Sequence, residues 1–238
     1  MSGHSHAKTV MATKMANAAK KGKIFSKFGR LITIAAKSGS DPTTNAKLKV
    51  AIDQAKSFNM PKENIERAIK KGIGELAGET LEEISYEGFG PGGIALIVDG
   101  ITDNPNRTLG EVKVILNQNG GKMAGEGAVR WMFDRKGVIT ISGEEKTKED
   151  LELLAIELGA DDIKSEGNNL NIYTKPEDLE KIKKGLEAKG IKIESASLDY
   201  VAKEEVELSE KDKEAAQRLF DALDENDAVN DIYSNIKN

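Results

Sequence analysis

Apolar residues recur at helical spacing through the first third of the chain and at strand spacing after it. Between Lys23 and Lys37, one side of a helical wheel gathers Ile24, Phe25, Phe28, Leu31, Ile32 and Ala35. Lys23, Lys27, Arg30 and Lys37 gather opposite. Ile34 falls among the basic residues, so it either meets a partner or packs under a neighbouring helix. A preceding helix is predicted over Thr9–Lys21, with Gly22 ending or kinking it. Asp41-Pro42 predicts the start of a third helix, with Asp as N-cap and Pro in the first turn. Met60-Pro61 opens a fourth, with Ile65 and Ile69 inside. Its closing Lys70-Lys71 complements the helix dipole. Residues 9–72 therefore read as a small helical bundle.

After a linker at Gly74–Thr80 the period becomes strand-like. Strands are predicted at Ile84–Glu87, Ile94–Ile101 and Ala128–Phe133, and a helix at Asn106–Gln118 with Asn106 as its cap. Next come a strand at Gly137–Ile141, a helix at Lys148–Leu158, and a hairpin of Asp161–Ser165 with Leu170–Thr174 turning at 166–169. A helix at Pro176–Ala188 and a strand at Ile191–Ser197 complete a βαββαβ, or ferredoxin-like, order. The tail reads as strand Tyr200–Glu207, helix Ser209–Leu223 and strand Val229–Tyr233. A lone strand–helix–strand cannot bury both its faces, and the incomplete set at 84–133 lacks such a half, so the two are expected to combine. The expected fold is α+β: a helical bundle (1–75), a discontinuous ferredoxin-like domain (80–135 plus 200–238), and a second such domain (137–199) inserted into it.

Charge sharpens this division. The net charge of −5 conceals 15 basic and 5 acidic residues in positions 1–75, against 20 and 35 in the remainder. Between Lys8 and Arg30 there are seven cations and no carboxylate. Such an array suits a phosphate backbone. Lys8, Lys14, Lys20, Lys21, Lys23, Lys27 and Arg30 are thus the candidate nucleic-acid ligands. Arg107 joins them, because a cation in a first helical turn opposes the dipole and suggests an anionic partner.

Other chemistries fall away. The chain has no cysteine, and both histidines, His4 and His6, lie in a Gly/Ser-rich start. Nucleophilic triads therefore lack a base on a rigid element, and no metal site is expected. Gly88, Gly90 and Gly93 match G-x-G-x-x-G, but Pro91 interrupts and a strand follows, so a tight turn is expected rather than a dinucleotide site. The glycine-rich stretch Lys122–Gly127 is either a mobile contact loop or a long hairpin turn. Trp131, placed on a predicted strand near Arg130, Arg135 and Lys136, either stacks a base or packs in the core. The expectation is a non-enzymatic protein without cofactor, membrane span or small-molecule substrate, located in the cytoplasm.

Several segments together resemble the YebC family. They are Gly3-His4-Ser5, Lys21–Phe25 with Arg30, Asn64–Lys70, Tyr86–Gly93, Asn106-Arg107-Thr108 and Asn119-Gly120-Gly121. The resemblance runs through essentially the whole chain and departs at His6-Ala7-Lys8, where many members carry a Lys-Trp pair. It implies a helical domain followed by two α+β domains. It also implies one of two functions: a ribosome-associated translation factor relieving stalling at proline-rich stretches, or a DNA-binding transcriptional regulator. The partner is correspondingly ribosomal RNA and tRNA, or promoter DNA. A Lys-rich face holds phosphates without reading bases, which favours the first.

Overall fold

The computed structural model describes residues 18–142, 148–166 and 169–237. The predicted helix over Thr9–Lys21, up to residue 17, and the hairpin turn at 167–168 lie outside them. The chain divides into two compact units. One contains residues up to Met132 and from Glu204 onward; the other is Phe133–Lys203.

The first unit opens with three helices, α1 (Ala18–Ala36), α2 (Ala46–Ser57) and α3 (Lys62–Gly72). Gly22 does not end a helix: α1 runs through it, because flanking turns carry the hydrogen bonds past a single glycine. Ile24, Phe28, Ile32, Ala35 and Ala36 of α1 pack with Leu48, Ile52 and Ala55 of α2 and with Ile65 and Ala68 of α3. Where α1 meets α3, Gly72 is required: a Cβ there would stand 2.4 Å from the Thr33 carbonyl oxygen. Ile34 is half-buried.

The cap of α2 is Asn45, not Asp41. Asp41 is consumed in a local turn, its carboxylate accepting from the Thr43 amide and hydroxyl. Asn45 Oδ1 accepts from the Leu48 amide at 3.1 Å, while Nδ2 donates to the carbonyls of Ala35 and Gly39 at 2.8 Å each. One buried amide thus satisfies the start of α2 and the end of α1 together.

The rest of the first unit is a four-stranded antiparallel sheet. Strands β1 (Glu82–Phe89), β2 (Ala95–Thr102), β3 (Lys122–Met123) and β8 (Val229–Ser234) lie in the order β3-β1-β2-β8. Helices α4 (Pro105–Gln118) and α7 (Glu210–Asp224) cover one face. Leu96, Val98 and Ile232 meet Val112, Leu116, Leu219 and Phe220 there. Asn104, rather than Asn106, caps α4, since Pro105 takes the first helical position. The tail contributes a single bridge at Val206 to Ile236 where a strand over 200–207 was expected.

The second unit holds β4 (Phe133–Ser142), α5 (Lys148–Leu158), β5 (Asp162–Glu166), β6 (Asn169–Thr174), α6 (Leu179–Ala188) and β7 (Ile193–Ala202). Its sheet order, β5-β6-β4-β7, is the ferredoxin-like one. Two boundaries differ from expectation. Residues 128–132 form a turn and a short 3-10 segment, so the strand starts at Phe133. The strand anticipated at 191–197 and the first residues of the one anticipated at 200–207 form one strand, β7, paired along β4 from Phe133↔Ala202 to Ile141↔Ile193.

Candidate nucleic-acid interface

The candidate cations do not all meet solvent. Lys8 and Lys14 lie outside the described residues, and Lys20 is in α1 with its side chain outside them. Lys21 is exposed. Lys23, Lys27 and Arg30 instead turn toward the end of α7. Lys23 Nζ meets Glu225 Oε2 at 2.6 Å. Lys27, only 3% exposed, donates to the Asp224 carboxylate at 3.0 Å and to the Asp224 carbonyl at 2.8 Å. Arg30 Nη1 donates to the Asp227 carbonyl at 2.7 Å. The hydrogen bond to Glu225, with the nearby carboxylates, raises the Lys23 pKa above the ordinary lysine value against the opposing effect of burial.

This contact corrects the expectation of a free basic face, and its cause is legible in α7. A helix C-terminus favours cations, yet the last turn of α7 has no basic residue and ends in Asp224 and Glu225, with Asp227 just beyond. Its compensating charge comes from α1, which carries no acidic residue in its first turn.

Arg107 belongs to the same acid-rich neighbourhood. Its guanidinium meets Asp103, just ahead of the α4 cap, at 2.5 Å and Glu111, on α4, at 3.7 Å. Burial acts to raise the Asp103 carboxyl, but local backbone bonding and the charges of Arg107 and Arg30 outweigh it and lower its pKa. Asn226 Nδ2 donates to Glu111 at 2.9 Å. The sign of Arg107 against the dipole is therefore balanced by its own helix, and no external anion is required to explain it.

Besides Lys21, the outward cations of the bundle include ones the pattern did not nominate: Lys47, Lys49 and Lys56 on α2, and Arg67, Lys70 and Lys71 on α3. Lys70 and Lys71 had a sufficient structural reason at the helix end. Lys49 and Lys56 stand seven apart on the wheel, opposite the buried alanines, a signal present but weak beside the α1 run.

A second region lies at the β1–β2 turn. Gly92 and Gly93 adopt φ of 69° and 78°, closing the tight turn the glycines suggested. The turn and Asn119–Lys122 border a cleft of about 320 Å³ lined by Phe89, Gly90, Gly93, Gly120, Gly121 and Lys122. A Cβ on Gly121 would stand 2.6 Å from the Phe89 carbonyl oxygen, so the backbones touch there. Beyond it, the glycine-rich stretch is tied down by a buried acid. Glu87, 4% exposed, accepts the backbone N–H groups of Gly127, Val129 and Arg130 at 2.8, 2.8 and 3.0 Å. Burial pushes the Glu87 carboxyl up, but these three bonds and the Arg130 charge exceed it and the net pKa is lowered. Trp131 at the end of this loop is 67% exposed, with Nε1 donating to the Ala128 carbonyl at 3.0 Å. It is neither on a strand nor in the core.

The comparisons with known proteins divide the chain where the fold does between bundle and sheet. Residues 5–75 match the model of the TACO1/YebC protein N-terminal domain, and residues 81–236 that of the TACO1/YebC second and third domain. The chain belongs to the TACO1/YebC family. A YebC-type relative from Caldanaerobacter subterraneus, called "Probable transcriptional regulatory protein", is 44% identical over 100% of this chain and 98% of its own. One of the same description from Desulforapulum autotrophicum is 46% identical over 99% of this chain and 96% of its own. The crystal structure of a conserved hypothetical protein, Aq1575 of Aquifex aeolicus, superposes with a TM-score of 0.87 at 42% identity, covering 94% of this chain and 93% of that one. The YebC family is thus one whose relatives are described as regulators. Among the described residues, no group of three or more His, Asp or Glu is placed to hold a metal, and no helix is long and apolar enough to cross a membrane.

Proposed function

We propose that this chain is a non-enzymatic regulator of gene expression that grips nucleic-acid phosphates through its helical bundle. We assign it to the cytoplasm as a ribosome-associated translation factor that relieves stalling at proline-rich stretches. The supporting observation is the separation of charge: α2 and α3 present Lys47, Lys49, Lys56, Arg67, Lys70 and Lys71 outward, while residues 76–238 carry an acidic excess. The sequence adds Lys8, Lys14, Lys20 and Lys21 to the positive charge of this part of the chain. Lysines hold phosphates without reading base edges, and long DNA would be repelled by the acidic remainder. The turn at 88–93, exposed at Gly92 and Gly93, and the stretch at 122–127 are the loops this reading directs at a ribosomal site. Ribosomal RNA and tRNA are the partners this reading assigns.

The second reading, a DNA-binding transcriptional regulator, rests on the description carried by the relatives. Co-sedimentation with ribosomes from a lysate, with duplex DNA as competitor, separates the two. The translation reading expects the protein to travel with ribosomes, to resist displacement by DNA and to be released by raised salt. Absence from the ribosomal fraction, with preference for one promoter over random DNA, would overturn it in favour of the regulator of transcription.

A further inference from the structure

We propose that the α1–α7 contact is a latch which polyanion binding opens: the carboxylates and carbonyls at the end of α7 occupy cations that phosphates take when nucleic acid binds. This inference rests on the reading of the bundle as a phosphate-binding element. Three observations carry it.

The first is the spacing. Lys23, Lys27 and Arg30 form one stripe along α1, and all three meet oxygen acceptors between 2.6 and 3.0 Å. Two of those acceptors are carboxylate oxygens, anionic like those of a phosphate, and the other two are neutral backbone carbonyls. The second is the charge on either side. The end of α7 gathers Asp221, Asp224, Glu225 and Asp227 with no cation of its own in the last turn. Each surface is unfavourable alone, and each is relieved by the other or by an outside ion.

The third is the separation of the cores. The bundle packs around Phe28, Ile32, Leu48 and Ile65, and the sheet with α4 and α7 packs around a different apolar cluster. Phe28, Ile32, Thr33 and Asn45 keep their partners inside the bundle if the latch opens, so the bundle survives as a folded body. Polar contacts between two separately cored bodies exchange for a competing anion at lower cost than a shared apolar core. Latched and phosphate-bound forms are then mutually exclusive. A weak or short anion leaves the latch shut, and a polyanion held first by exposed cations of the bundle competes with the end of α7 for Lys23, Lys27 and Arg30.

The test uses the full chain. It has no cysteine, so Ser57→Cys on α2 and Glu214→Cys on α7 accept a donor and acceptor dye with no background. The probe is mixed-sequence single-stranded RNA at low salt. Energy transfer is expected to fall as RNA saturates the protein. The variant D224N/E225Q is expected to start at lower transfer and to bind RNA about 5- to 10-fold tighter, at the lower end of ordinary coupling between linked equilibria. The comparison is with E207Q/E210Q, which removes two exposed charges of the same unit at the start of α7, the opposite end of that helix from the latch, and so controls for net charge. Glu225→Gln alone, at an exposed ion pair, is expected to shift both readouts in the same direction by less. RNA binding with unchanged transfer, or D224N/E225Q binding no tighter than the control, would overturn the latch while leaving the proposed function standing. Failure of wild type and D224N/E225Q alike to bind RNA would overturn both.

Discussion

Lys27 and Glu87 are buried charges in the same unit, and they are neutralised in opposite ways. Lys27 is met by a side-chain carboxylate and a carbonyl from a helix belonging to a different core. Glu87 is met by three backbone N–H groups of a loop that continues its own sheet, with Ala124 also bonded to the Glu87 carbonyl. A carboxylate partner can be replaced by another anion in solution. Backbone N–H groups arriving from one loop have no such substitute. The same kind of group, a buried charge, therefore marks an exchangeable contact in one place and a permanent one in the other.

The sharpest way to break this contrast is Glu87→Ala. It leaves three N–H groups without their acceptor, that of Val129 buried and those of Gly127 and Arg130 part-buried, at about 1–3 kcal/mol for a buried orphan and less for the others. The expected loss is about 3–5 kcal/mol in urea unfolding, with loss of amide protection at Gly127, Val129 and Arg130. A loss below about 1 kcal/mol would show that the loop finds other acceptors. Next in size is Lys27→Met. Breaking a buried pair often costs about 3–5 kcal/mol, but here Asp224 regains water if the two bodies part, and the expected loss is about 1–3 kcal/mol. Adding Asp224→Leu is expected to recover at least half, and a double-mutant cycle measures that recovery. If Lys27→Met costs as much as Glu87→Ala, the contact is as permanent as the loop.

The smallest effect is that of pH. The folded pKa of Glu87 is lowered, so its contribution is present above the unfolded carboxyl value, about 4.3, and is lost as pH falls through the folded value. Wild type is expected to lose stability below about pH 4 in part through this group. Glu87→Gln is expected to start lower and to flatten that part of the acid limb. An acid limb identical in the two proteins would assign the loss to other carboxylates.

Much of the architecture was legible because it is written in local periodicity. The apolar stripe Ile24, Phe28, Ile32 and Ala35 is the α1 contribution to the bundle core. The βαββαβ run forms a sheet of the order that sequence of elements demands. What failed was local chemistry with two sound answers. Asp41-Pro42 and Asn45 both make acceptable helix starts, and only the carbonyls of Ala35 and Gly39 decide for Asn45. Residues 128–132 have strand-like composition, but the carboxylate of Glu87, some forty residues earlier, holds them in a turn. The candidate interface was legible as charge but not as geometry. A wheel displays Lys23, Lys27 and Arg30 on an open face, and nothing in the neighbouring sequence announces that Asp224 and Glu225, some two hundred positions on, will stand against it.

Trp131 carries a practical consequence. It is the chain's only tryptophan, its ring is mostly in water, and its Nε1 is tied to the Ala128 carbonyl. The molecule therefore contains one tryptophan fluorophore, expected to emit at the long wavelength of a hydrated indole and to be open to collisional quenchers, mounted on the loop that Glu87 anchors. Its emission maximum and its quenching by iodide or acrylamide report whether that loop is free or covered, without any label.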